Sequence, residues 1–309
     1  MKLFAAFFKM IRWPNLFFIA LTQSLFYFCV FENLLKVNLG QQVHIQFYFL
    51  LAASVFIAAA GYIINDYFDL SIDAVNKPQK VVIDRVIKRR WAIVWHWILS
   101  GLGLLLSLYI SYKIGSWIIA LANVLVVFVL WFYSTTFKKK LLTGNIIIAA
   151  LTAWVIVVVY FFCGAHISLW HVDTAAMGAR FFKFTVLYAG FAFMVCLIRE
   201  VIKDIEDMEG DARYGCQTMP IVWGIPTSKV FTAVWLVVCI AALSIVQLYG
   251  WQLGWWIICI YTIVLVILPL IYILTGLYKA GTPADYHRLS TIIKMVMLAG
   301  ILSMLFFIF

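Results

Sequence analysis

The sequence predicts an all-α polytopic membrane bundle of about nine transmembrane helices, with its polar chemistry on cytoplasmic-side loops. Three observations carry that reading. The chain of 309 residues is 66% hydrophobic and 12% charged, and its mean hydropathy of +1.04 exceeds what a water-exposed surface tolerates. Apolar runs close to the roughly 20 residues of a membrane span follow one another through short connections. Lys and Arg segregate into alternate connections, as expected of a multi-span protein.

The elements follow in order. Met1–Arg12 is amphipathic and lacks a small-residue cleavage site, so it reads as a surface-lying segment and not as a cleavable signal peptide. Apolar runs then lie at 13–31, 44–66, 91–112, 116–135, 145–163, 181–199, 229–249, 255–277 and 290–308. An odd number of spans puts the termini on opposite faces. With a cytoplasmic N-terminus, the outer face carries Lys36, Lys113, Arg180 and Lys183, and the inner face carries the other nineteen of the 23 basic residues. The expected location is therefore the cell inner membrane, multi-pass, with the N-terminus and the acidic loops described next cytoplasmic.

Two stretches hold most of the 13 acidic residues. The second apolar run ends in Asn65, Asp66, Asp69 and Asp73, which on a continuous helix share one flank. Three carboxylates within about two turns repel one another, and the C-terminal end of a helix dipole disfavours them further. The expectation is that a bound cation relieves this. The sixth run ends in Arg199-Glu-Val-Ile-Lys-Asp-Ile-Glu-Asp-Met-Glu-Gly-Asp211, with Glu200, Asp204, Asp207 and Asp211 on one stripe and Glu206 and Glu209 nearby. Oxygen-rich sites of this kind suit Mg2+, which prefers carboxylates together with phosphate oxygens. The expected guest is a Mg2+-bound diphosphate.

The net charge of +10 follows from the one-sided basic face beside anionic lipid headgroups, and no nucleic-acid module is present. Lys77, Lys80 and Arg85, directly after the first cluster, and Lys138 in the next inner loop are candidates to bind phosphate oxygens. Cys29, Cys163, Cys196, Cys216, Cys239 and Cys259 form no CxxC pair, and the five histidines are scattered, so zinc and disulfide chemistry are not supported. Tyr62, Tyr67 and Phe68 flank the first cluster and Tyr133 ends the fourth span; aromatic faces there are candidates to attract a carbocation.

Asn65-Asp66-x-x-Asp69-x-x-x-Asp73 with Asn76-Lys77-Pro78 resembles the first signature of the UbiA-type intramembrane prenyltransferase superfamily. Asp207-x-x-x-Asp211, followed by Gly215, Thr218 and Gly224, resembles the second. The resemblance extends to Arg12-Trp-Pro14-Asn15 and to Tyr133-Ser134…Lys138-Lys-Lys…Gly144-Asn145, so it spans 1–309 as a single domain. It implies Mg2+-dependent transfer of a polyprenyl group from its diphosphate to a lipophilic acceptor. One Mg2+ would lie on Asn65, Asp66, Asp69 and Asp73, and the other on Asp207 and Asp211, with Asp204 acting beside them. Asn65, Lys77, Lys80, Arg85, Tyr133, Lys138, Arg199 and Lys203 would bind substrate. Glu200 and Asp204 are candidates for the base.

The second motif is most similar to the branch that makes digeranylgeranylglyceryl phosphate, with a geranylgeranyl donor and geranylgeranylglyceryl phosphate as acceptor. That branch commonly continues with Arg-Pro and a Ser-Gly turn after Asn76-Lys-Pro78, whereas this chain reads Gln79-Lys80-Val81-Val82-Ile83-Asp84. Lys80 keeps the charge without the bidentate fork of Arg. Prenylation of an aromatic acceptor, of quinone, chlorophyll or haem type, is the alternative within enzymes. A cation-coupled transporter is the alternative outside them, although no inverted repeat is evident and its polar residues would sit near midplane. The DGxxAR signature of a CDP-alcohol phosphotransferase is absent. No obligate protein partner is expected.

Overall fold

The computed structural model describes residues 2–37, 39–76, 82–167 and 175–308. Among them, nine helices are long and apolar enough to cross a membrane: α2 (Trp13–Leu34), α3 (Gln41–Phe68), α5 (Arg89–Ile114), α6 (Ile118–Thr135), α7 (Thr143–Ile167), α8 (Ala175–Glu206), α11 (Gly224–Gln252), α12 (Trp256–Lys279) and α13 (Pro283–Phe307). Short helices complete the chain: α1 (Lys2–Met10), α4 (Leu70–Asn76), α9 (Met208–Arg213) and α10 (Met219–Val222).

The nine spans match the predicted runs in number and order, and most differ at their ends. Apolarity marks the stretch that hydrocarbon can accept, whereas a helix continues until its backbone is capped. Thus α8 runs to Glu206, well beyond its apolar run, and carries Arg199, Glu200, Lys203 and Asp204 as helical residues. α13 starts at Pro283 because Thr282 and Asp285 form a reciprocal cap: Asp285 N donates to Thr282 Oγ1 at 3.3 Å, and Thr282 N donates to Asp285 Oδ2 at 2.9 Å. The short link after α5 is a true helix end, where Gly115 adopts φ 66°.

The chain divides into two compact units, Met1–Lys138 with Trp154–Leu187, and Lys139–Ala153 with Tyr188–Phe309. In the first, α3 packs against both α5 and α6. Small residues permit the approach, because helices in lipid associate by close packing and polar contacts. Ala53, Ala59 and Ala60 are buried on α3. A Cβ on Gly103 of α5 would lie 2.6 Å from Ile57 Cγ1 and 3.1 Å from the Ala53 carbonyl oxygen. Buried polar groups add directional ties. Asn123 Nδ2 donates to Ser107 Oγ at 2.8 Å, and Trp154 Nε1 donates to Asn123 Oδ1 at 3.3 Å.

A paired substitution tests this packing. Gly103→Ala is expected to destabilise the protein by about 1–3 kcal/mol through overpacking. Gly101→Ala, whose Cβ meets nothing within 4 Å, is expected to be neutral or stabilising by up to about 1 kcal/mol, since Gly costs helix entropy. Unfolding midpoints in detergent check both signs.

In the second unit, Val195, Ile198, Ile202 and Ile205 recur every three or four residues on α8 and form one buried stripe. They belong to a core with Leu236 and Cys239 of α11, Leu270 and Ile273 of α12, and Ile293 and Val296 of α13. Tyr188 OH lies 3.0 Å from Ser303 Oγ within this unit. The stripe leaves the opposite flank of α8 to the polar residues that follow Arg199.

Candidate active site

The first acidic cluster lies where α3 gives way to α4. The two helices do not form the uninterrupted helix expected from spacing. Asp69 stands between them at φ −91° and ψ 1°, in the sparsely populated bridge region where active-site residues recur. Hydrogen bonding nevertheless carries through the break: Asp69 N donates to Asn65 O at 3.0 Å, and Asp73 N donates to Asp69 O at 2.8 Å. The result is a hinge that keeps the four-residue spacing of Asn65, Asp69 and Asp73.

Side-chain cations face the carboxylates of the first cluster. Arg12 Nη2 donates to Asp66 Oδ1 at 2.5 Å, and Lys138 Nζ forms an ion pair with Asp69 Oδ1. Arg12 stands just before α2 with φ 51° and ψ 52°, a left-handed conformation that costs a non-glycine residue about 1–2 kcal/mol. Pro14 in the first turn of α2 is preset for helix, so the strained residue is the one that aims its side chain at Asp66. Burial opposes the charge of Arg12, and Asp66, Tyr62 and Asp73 together outweigh it, so its pKa is raised. Lys138 lies in the middle of the turn Phe137–Lys139 after α6, with a side chain only 9% exposed.

The neighbouring aromatic rings already face cations. The Arg12 guanidinium lies 5.3 Å from the centroid of Tyr62 and that of Arg89 lies 4.6 Å from the centroid of Tyr67. Phe68 meets Trp131 edge-on at 5.9 Å. Asn65 Oδ1 is buried without a hydrogen-bond partner. Arg85 is exposed on the turn between Ile83 and Ile87, and Tyr133 is half-buried near the end of α6. Lys77 and Lys80 lie outside the described residues.

The second cluster repeats this local design within the other unit. Both segments read Asp-x-x-Asp-x-x-x-Asp, as Asp66, Asp69, Asp73 and as Asp204, Asp207, Asp211. Asp207 stands between α8 and α9 at φ −94° and ψ 5°, within a few degrees of Asp69. Its N–H donates to Lys203 O at 2.9 Å, and its carbonyl accepts from Asp211 N at 3.2 Å. The same interrupted helix has thus been built twice.

The wider acidic stripe separates on inspection. Glu200 is held by Arg199 Nη1 at 2.7 Å and Lys203 Nζ at 3.4 Å. Glu206 faces His287 Nδ1 at 2.8 Å, and Glu209 pairs with Arg213 on the exposed side of α9. Asp204 Oδ2 accepts from Asn145 Nδ2 at 2.8 Å. Arg199 Nε and Thr218 Oγ1 are buried without hydrogen-bond partners, the first a spare donor for an anion. Gly215 and Gly224 adopt φ 70° and 82°, conformations that explain glycine at both positions.

Arg12 and Asn145 are the site residues that the sequence did not single out. Each belongs to a stretch already noticed, but its partner lies 54 or 59 positions away, a separation no spacing rule reaches.

The oxygens of the two clusters are carboxylate and amide oxygens, a hard set of the kind Mg2+ takes. Asn65 Oδ1 is a buried acceptor with capacity to spare. The residues therefore fit a magnesium ion, although among the described residues no three carboxylates, histidines or cysteines gather into a ready-made metal site.

Comparison with known proteins shows the family and the fold. The model of the UbiA prenyltransferase family matches residues 14–298. A digeranylgeranylglyceryl phosphate synthase of Methanoregula boonei is 32% identical over 219 residues, covering 71% of each chain. A solved structure described as that of digeranylgeranylglyceryl phosphate synthase in membranes superposes with a TM-score of 0.60 at 24% identity, covering 98% of this chain and 99% of the other. A UbiA homologue from Archaeoglobus fulgidus bound to DMAPP and Mg2+ has a TM-score of 0.58 at 15% identity, covering 96% and 98%.

Proposed function

The chain belongs to the UbiA prenyltransferase family, and from that premise we propose that it transfers a geranylgeranyl group from its diphosphate to geranylgeranylglyceryl phosphate. The observation that carries the site assignment is the repeated Asp hinge, Asp69 and Asp207, each flanked by carboxylates at the same spacing. The glycerol phosphate acceptor rests on similarity to the archaeal synthases.

In this reading Asn65, Asp66, Asp69 and Asp73 would hold one Mg2+, and Asp207 and Asp211 another, with Asp204 beside them. The ions would supply positive charge to the diphosphate leaving group as the allylic C–O bond breaks. Arg12, Lys77, Lys80, Arg85, Lys138, Arg199 and Lys203 supply N–H donors to phosphate oxygens. Tyr133 and the apolar spans shield the allylic cation from water. The acceptor's hydroxyl oxygen forms the new ether bond to the carbon that the diphosphate leaves, and its proton passes to a carboxylate of the acidic stripe, Glu200 or Asp204. Segregation of Lys and Arg supports a multi-pass protein of the cell inner membrane whose N-terminus and acidic loops are cytoplasmic.

The test is diphosphate release from geranylgeranyl diphosphate by the purified protein in lipid with Mg2+. Release with geranylgeranylglyceryl phosphate and not with an aromatic acid is expected. Release with the aromatic acid alone would overturn the acceptor assignment and keep the transfer chemistry. Release with neither would overturn both.

A further inference from the structure

We propose that Arg12 and Lys138 are resident counter-ions of the first acidic cluster, which a metal ion must displace, so that Mg2+ and the prenyl diphosphate load together. The inference rests on the proposed magnesium-dependent reading of this cluster. It concerns how the metal enters and not whether it is used.

One oxygen of each of two cluster carboxylates is already engaged by a side-chain cation. Arg12 holds Asp66 and Lys138 holds Asp69. Both partners of the second pair are largely withdrawn from solvent, at 9% and 15% exposure. Among the described residues, no three acidic, histidine or cysteine side chains converge, while the neutral donor Asn65 Oδ1 is left over. The cluster is therefore organised around its own cations.

A metal ion arriving alone competes with those cations for the same lone pairs and is repelled by their charge. It would also leave an ammonium with 9% exposure without its partner, a costly state. A diphosphate removes both obstacles. It offers new acceptors to the guanidinium and the ammonium, and the carboxylates they release become available to the metal. Coupling of this kind is reciprocal, so the diphosphate raises metal affinity by the factor by which the metal raises diphosphate affinity.

The backbones of the two cations are set by local structure. Arg12 is held by its left-handed backbone and by helix α2, and Lys138 by the turn Phe137–Lys139. Long side chains on anchored backbone can pass from a carboxylate to a nearby phosphate without moving a helix.

The experiment measures Mn2+ binding by electron paramagnetic resonance, on the full-length protein in lipid nanodiscs, with and without geranylgeranyl thiolodiphosphate as an unreactive donor analogue. The wild-type protein is expected to bind Mn2+ at least about tenfold more tightly with the analogue, the scale of one charge-assisted hydrogen bond. Lys138→Gln and Arg12→Gln are each expected to bind Mn2+ more tightly than wild type without the analogue, and to gain less from adding it. Lys138→Arg and Arg12→Lys keep the charge and are expected to retain wild-type coupling, which separates counter-ion loss from general loosening. Variants that bind Mn2+ alone no more tightly than wild type would overturn the proposal. Wild-type protein that binds no Mn2+ even with the analogue would overturn the metal reading beneath it, and the proposal with it.

Discussion

Asp69→Asn and Asp207→Asn are each expected to lower prenyl transfer by about 100- to 1,000-fold, the range seen when one preorganised charge-stabilising group is removed. The substitution keeps side-chain shape and removes the negative charge, so the hinge backbone is retained while the oxygen donor weakens. Position matters more than acidity. Glu209, two residues from Asp207, pairs with Arg213 in solvent, with side chains 75% and 60% exposed, and Glu209→Gln should leave transfer within about twofold, since exposed pairs contribute little. Asp69→Asn also strips Lys138 of its partner and is expected to lower the unfolding midpoint, whereas Asp207→Asn provides a second test at the repeated hinge. Near-normal turnover in Asp207→Asn with a retained fold would remove the two-cluster mechanism.

Chelation of divalent ions is expected to reduce turnover to the rate without enzyme, and Mg2+ to restore it fully. The reason lies in the substrate as much as in the protein. A diphosphate leaving group accumulates negative charge as its bond to carbon breaks, and the basic side chains near each cluster are partly engaged by carboxylates before substrate arrives. Ca2+ should restore turnover poorly, because it takes more ligands in looser geometry than Mg2+ does. A rate that survives exhaustive chelation would exclude the metal-dependent mechanism. Full activity with Ca2+ would show that the clusters do not select Mg2+ over the larger ion.

The nine spans were legible because hydrocarbon imposes a length and a composition that show in the sequence without knowledge of packing. The two acidic clusters were legible for a related reason: charge is rare in such a chain, so two dense groups of carboxylates at span ends stand out. The repeated spacing Asp66, Asp69, Asp73 and Asp204, Asp207, Asp211 is a local property and needed no tertiary information.

Charge pairing was decided by the tertiary structure alone. Carboxylates crowded at a helix end announce a need for positive charge, but not whether a metal or a side chain meets it. Arg12 reaches Asp66 and Asn145 reaches Asp204 across more than 50 positions. Such contacts depend on which helix faces which and at what height, quantities that hydrophobic periodicity does not encode. The hinges at Asp69 and Asp207 lay beyond the sequence for a different reason. Neither is marked by proline or glycine, and the helical hydrogen bonds continue across both. What the sequence determined by itself is the set of spans and the two acidic clusters, because membrane thickness and charge scarcity act locally along the chain. Only the folded arrangement decided which cations hold those acids, because an ion pair forms wherever packing brings the two charges together.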